Sequence, residues 1–245
     1  MNAFPKAAII VPGLASEYLL SFRVTHFLTM NPRAPQQPSL FELPQRPLSA
    51  VPKTPEQQAL AAALPRSLHM GAMTWSYPGW TGVVYAEQHS ERELAGRGLT
   101  AYCQQPLLRA AELDRTYYEP LSAASYAQYA EQVPADFRFL VKAHEDCTVA
   151  RYPMHARYGK KRGQQNPRYL DPSYAAQTVV APLVGLGDKL AALLFQFSPQ
   201  ADEQPERFAD TLHAFLRALP AGVPYAVELR SRQLLCKAYG AALAD

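Results

Sequence analysis

Five times between Leu68 and Asp245 a short apolar run alternates with a stretch of helical periodicity, and no other feature restricts the fold as tightly. The runs are LHMGAMTW at 68–75, LLRAAEL at 107–113, FRFLVKA at 137–143, LAALLFQF at 190–197 and PYAVELR at 224–230. Residues 91–104, 122–133, 172–187, 203–219 and those after the fifth run read as helices. In 203–219, Phe208, Leu212, Phe215, Leu216 and Leu219 recur at helical spacing, which backs one stripe onto a sheet. Ser122 is a natural helix cap, and Pro182 must kink or divide the helix that holds it. Strands alternating with helices predict an α/β fold with a parallel sheet covered by helices.

The runs also share a design at their ends. The first finishes at Thr74 and Trp75, the second at Glu112 and Asp114, the third at Lys142, the fourth at Gln196, and the fifth at Glu228 and Arg230. Parallel α/β folds bind ligands outside the carboxyl ends of their strands, so these groups are expected to share one site. A single polar strand end is an ordinary solvent-facing terminus; five in a row point to a function. Glu112 and Glu228 are the candidate acid and base, Asp114 is a third catalytic carboxylate, and Lys142 and Arg230 are suited to an anionic group. Clustered carboxylates raise one another's pKa while cations lower it, which is how acid and base separate.

Other chemistries find less support. The carboxylates could hold a divalent cation, but His69, His89, His144, His155 and His213 have no ligand spacing, so no metal site is assigned. No cysteine has an evident histidine partner, no Gly-x-Ser-x-Gly elbow occurs, and neither AGRGLT nor VGLGDK is placed as a phosphate loop. No cofactor is implied.

The segments GAMTWSYPGWTGVVY at 71–85, AELDRTYY at 111–118, FRFLVKA, LLFQFSP at 193–199 and YAVELR at 225–230 together resemble the YecE-like family, domain of unknown function 72. The resemblance spans about residues 69–245 and implies a TIM-type (β/α) barrel whose reaction is unassigned. It maps onto Trp75, Tyr77, Trp80, Gly82 and Tyr85, onto Glu112, Thr116 and Tyr118, and onto Lys142, Gln196, Pro199, Glu228 and Arg230. Of these, Trp75, Tyr77, Trp80, Thr116, Tyr118, Gln196 and Arg230 are expected to contact substrate. Asp114 stands where the family usually has asparagine, Ala86 where it has proline, and Ser231 and Leu234 replace a histidine and a tryptophan. Five βα units fall short of the eight of a closed barrel, so an incomplete barrel is expected, with Val227 and Leu229 lacking neighbours on one side. The competing architecture is a self-contained, doubly wound five-stranded domain.

Eight of the 22 prolines lie between Pro32 and Pro65. Residues 1–66 therefore read as a proline-rich, largely disordered extension, with a short helix at 56–64, and residues 67–245 as the domain. Within the extension, QPSLF (Gln37–Phe41) is similar to the Gln-x-x-Leu-Phe peptide that binds the bacterial sliding clamp, a five-residue match of low specificity.

Between Asp146 and Asp171 no acidic residue occurs, and Arg151, Arg157, Lys160, Lys161, Arg162 and Arg168 interleave with Tyr152, Tyr158 and Tyr169. Such a loop is either a solvated surface or a phosphate- and base-binding one, in which Arg157, Lys160, Lys161 and Arg162 do the binding. Two functions follow. One is an enzyme acting on a small phosphate-bearing anion by acid–base chemistry at the strand mouth; the other is a non-catalytic, nucleic-acid-associated module using this loop. The net charge of +3 selects neither. No run approaches the roughly 20 apolar residues of a membrane span. KAAIIVPGLAS loosely mimics a secretory signal, but Pro12 interrupts it, and three scattered cysteines suit a reducing compartment, so the cytoplasm is expected.

Overall fold

The computed structural model of the chain describes residues 48–199 and 204–244. Strands β1 (Gly71–Ala72), β2 (Ala110–Leu113), β3 (Arg138–Lys142), β4 (Leu190–Phe197) and β5 (Tyr225–Leu229) pair in parallel to form one sheet in the order β1-β2-β3-β4-β5. The order is sequential, without the reversal that defines a doubly wound sheet, and this sets the competing architecture aside. Among the described residues no helix is long and apolar enough to cross a membrane.

Each strand falls inside its expected run, and β4 matches its run end to end. The first is cut to two residues because another group takes its backbone. The Tyr102 hydroxyl accepts from the Ala72 N–H at 3.0 Å and donates to the Ala110 carbonyl at 2.8 Å, bridging β1 and β2. At Gly71 the strands come so close that a Cβ would lie 2.0 Å from the Ala110 carbonyl oxygen, so only glycine fits.

The helices are α1 (Pro55–Ala63), α2 (Glu91–Tyr102), α3 (Ala123–Glu131), α4 (Pro172–Tyr174), α5 (Pro205–Arg217) and α6 (Lys237–Ala244). Capping boxes start α1 (Thr54 with Gln57) and α2 (Ser90 with Glu93), and Ser122 caps α3 as its sequence predicts. Beyond α4 the chain widens into a π-helical stretch, Ala175–Val180, then tightens into a 3-10 stretch, Ala181–Lys189. Pro182 stands at the change, which divides the expected single helix where its missing N–H predicts.

Register decides which residues face the helices. Leu113 lies beside Val141, Val141 beside Leu193, and Phe195 beside Val227, so these share one face. That face carries the core: Phe195 packs edge-on against Phe215 and Phe197 against Phe208, both at 5.2 Å, while Tyr129 of α3 lies 6.4 Å from Phe139. The α5 stripe buries Phe208, Leu212 and Phe215 as its periodicity requires. Val227 and Leu229, expected to lack neighbours on one side, pack against this core but stay only partly buried, as does every residue of β5. The opposite face presents Glu112, Leu140, Lys142, Ala192, Leu194, Gln196, Ala226 and Glu228.

The expected extension needs correction at its C-terminal part. Residues 1–47, with Gln37–Phe41, lie outside the described residues. Leu48, however, is buried in the core, and Ala50 forms an antiparallel bridge with Tyr85, with Val51 N–H bonding to the Val84 carbonyl at 2.9 Å. Proline 52 does not interfere, because the pairing ends before it. The short helix expected at 56–64 is α1, and none of its residues is buried.

Two substitutions test these ties. Leu48→Ala should cost about 2–5 kcal/mol in urea unfolding if the segment is part of the core. Tyr102→Phe should cost about 1–3 kcal/mol, because two backbone groups lose their partner at once.

Candidate functional site

Alternation along β2 and β3 brings three of the predicted groups together. Asp114, one step beyond β2, is level with Lys142 at the end of β3, and Glu112 is two residues earlier on the same face. Lys142 Nζ lies 3.1 Å from Glu112 Oε1 and also pairs with Asp114. Lys142 and Glu112 are only 4% and 5% exposed, so these are buried charges that require each other. Burial raises the Glu112 pKa, Lys142 opposes that, and the nearby Asp114 and Glu228 charges reinforce it. Burial works against the Lys142 ammonium, but Glu112 and Asp114 together outweigh it and its pKa is raised. Lys142 is thus a locked cation and not an amine nucleophile. Glu112 Oε1 makes no hydrogen bond among the described residues, its only attraction being the ion pair.

A second group sits across the same face. Gln196 Nε2 donates to Glu228 Oε2 at 2.7 Å, and Arg230 Nε donates to Glu228 Oε1 at 3.1 Å. Glu228 keeps 41% of its side chain exposed, against 6% for Glu112. The two carboxylates therefore differ in surroundings: one is dry, the other exposed and held by donors.

The remaining predicted residues divide. Tyr77 and Tyr118 are exposed at the rim, where a ligand could meet them. Trp75 is buried against Tyr129, its indole N–H without a partner among the described residues, and Trp80 stacks on Tyr102 at 5.5 Å. Thr116 is buried, and its hydroxyl is shared between the Leu113 and Lys142 carbonyls. Trp75 and Thr116 are thus buried braces of the site, while Trp80 is only partly buried.

The cations of the basic loop all stay exposed, as a solvated surface would have them, but several are engaged within the protein. Arg157 pairs with Glu145 and lies over the rings of Tyr158 and Tyr118 at 4.4 and 5.0 Å. Lys161 lies over Tyr152, and Arg168 bonds to Asp146 while covering Tyr174. Tyr152 and Tyr158 are buried in a small satellite cluster with Val149, so they offer no face for a base. Lys160 and Arg162 stay exposed. The counter-charges are Glu145 and Asp146, placed immediately before the basic run, and this pair is the signal by which the sequence could have revealed a self-paired loop.

Sequence reasoning also missed His144, two residues beyond Lys142. Its Nδ1 lies 2.8 Å from the Tyr174 hydroxyl, burial lowers its pKa, and burial pushes Tyr174 up to about 12. With both groups neutral, the network assigns Tyr174 as donor to Nδ1 and leaves the ring proton on Nε2. Burial pushes the Cys103 and Cys147 thiols up to about 11 and about 12, so neither offers a thiolate near neutrality. No group of His, Cys, Asp and Glu among the described residues is arranged to hold a metal.

Comparison with known proteins agrees with the sequence resemblance. Residues 69–245 match the model of a family described as Protein of unknown function DUF72. The chain belongs to this family. Among solved structures it is similar to a DUF72 family protein from Thermotoga maritima, at 24% identity over 71% of this chain and 59% of that one, with a TM-score of 0.45. A DUF72 family protein from Enterococcus faecalis is similar at 19% identity over 71% of this chain and 54% of that one, also with a TM-score of 0.45. The chain thus spans little more than half the length of these relatives. No curated protein matches it.

Lys142→Met tests the ionic cluster. It leaves Glu112 and Asp114 without their cation and should cost about 3–5 kcal/mol at pH 8. The Glu112 carboxyl, held above its unfolded pKa, costs stability at high pH and less as pH falls through the raised value, so urea unfolding at pH 5 should show a smaller deficit. In the wild type the raised Lys142 pKa contributes stability below its unfolded value, about 10.4, and loses it as pH climbs through the folded one.

Proposed function

We propose that this DUF72 chain is an enzyme that acts on a small phosphate-bearing molecule by acid–base chemistry at the open face of its sheet. The observation that carries the reading is the buried Glu112–Lys142 pair facing the more exposed Glu228. Structural ion pairs need no such division between a dry carboxylate and a wetted one, whereas proton transfer in both directions does. Glu112, whose pKa burial raises, is the general acid, and Asp114 balances Lys142 while Glu112 holds the proton. Glu228, oriented by Gln196 and Arg230, is the general base. Lys142 holds Glu112 in place with Asp114 and stabilises negative charge as it develops on the substrate. Arg230, Tyr77 and Tyr118 line the approach.

The sequential parallel order, with aromatic packing against helices on one face and polar residues on the other, supports a TIM-type barrel as the wider architecture, with residues from 67 onward as its domain. Free cysteines without any paired arrangement favour the cytoplasm. Arg157 and the loop tyrosines are engaged within the protein, which weighs against a nucleic-acid-binding loop.

The test is a thermal-shift screen of phosphorylated small molecules on the full chain, with each hit followed by NMR for conversion. Glu112→Gln should keep the shift but lower conversion by about 10²-fold or more. Conversion that survives both Glu112→Gln and Glu228→Gln would dismiss the assignment.

A further inference from the structure

A cavity of about 160 Å³ opens where the connections after β2, β3 and β4 converge. Its walls include Tyr117, Thr148, Arg151, Arg157, Tyr158 and Ser198, and no carboxylate lines it among the described residues. Two arginines and several hydroxyl-bearing residues thus line the space, with Glu145 behind Arg157 and Tyr158. Arg157 is partly neutralised by Glu145. Arg151 is not: it donates Nη1 to the Gly163 carbonyl at 2.6 Å and has no carboxylate partner among the described residues. Its backbone is pinned by an antiparallel bridge to Gln165, so the loop carries this charge on a fixed hairpin.

We infer that this cavity seats the phosphate of the substrate, with Arg151, Arg157, Tyr117 and Ser198 as its donors. Arginine and hydroxyl donors match the oxygens of a phosphate, and Arg151 can add its charge without first breaking an ion pair. The volume holds on the order of ten water-sized positions, enough for a phosphate and the first atoms of its carrier. A space of this size suits a terminal phosphomonoester better than a diester backbone, which needs room on both sides of the phosphate. Tyr117 connects the cavity to the carboxylates. Its ring centroid lies 5.9 Å from Lys142 Nζ and 6.0 Å from the Arg157 guanidinium carbon, so one ring adjoins both. A phosphate in the cavity leaves the rest of the molecule to pass Tyr117 toward Glu112. The assignment rests on the acid–base reading only for that last step.

Titration of the full chain with inorganic phosphate, read by thermal shift and by ³¹P NMR at constant ionic strength, tests the cavity apart from turnover. Saturable binding is expected, weakened about tenfold or more by Arg151→Gln, in line with the strength of a charge-assisted pair. Arg162→Gln, on the same loop but outside the cavity, and Glu112→Gln should leave it unchanged. Tyr117→Phe keeps the ring and removes only the hydroxyl, and it should weaken binding severalfold even if Arg151→Gln fails to fold. No saturable binding, equal binding by Tyr117→Phe and wild type, or an equal loss in Arg162→Gln would overturn the assignment. Loss of binding in Glu112→Gln would move the phosphate to the ionic cluster and overturn it as well. Phosphate binding that behaves as expected without any conversion would leave the cavity standing and remove the acid–base reading alone.

Discussion

The ammonium of Lys142 cannot be buried unless opposite charge is buried with it, and that condition organises one whole side of the sheet. Glu112 and Asp114 meet it because two residues along a strand return to the same face, and because β2 and β3 are neighbours in register. The polar face then cannot be covered by an apolar helix without stranding these charges. The helices are confined to the other face, where Phe139, Phe195 and Phe197 await them. One face of the sheet thus carries the aromatic core, while the other sets its ionic groups among Leu140, Ala192, Leu194 and Ala226.

A second network holds the loop side. Glu145, Asp146, Arg157 and Arg168 follow directly after β3, and tyrosines cover both arginines. The positive-φ glycines Gly159 and Gly163 let the backbone turn back within this loop. Much of its charge is engaged in holding itself against the strand ends, while Arg151, in the cavity wall, has no carboxylate partner among the described residues.

The strands and the carboxylate–lysine cluster were legible in the sequence because both depend on local periodicity. LAALLFQF has no competing partner and emerged as β4 without loss. Glu112, Asp114 and Lys142 were found because alternation and strand order place them. What escaped depended on partners far away in sequence. Nothing in LHMGAMTW shows that the Tyr102 hydroxyl, thirty residues on, will take the Ala72 N–H. Nothing in the basic run itself shows that Arg157 will be drawn to Glu145. Thr116 resembled a binding hydroxyl until its acceptors proved to be two backbone carbonyls. Leu48 read as linker because proline content describes a segment's own preferences and not the groove that receives it.

The strap at Leu48–Val51 fixes more than local packing. Ala50 meets Tyr85 in the connection that follows β1, at the same end of the sheet as the ionic cluster. The strap and the Trp75–Tyr85 connection therefore open together, so hydrogen exchange of the Val51 amide, bonded to the Val84 carbonyl, would report on the mouth of the sheet.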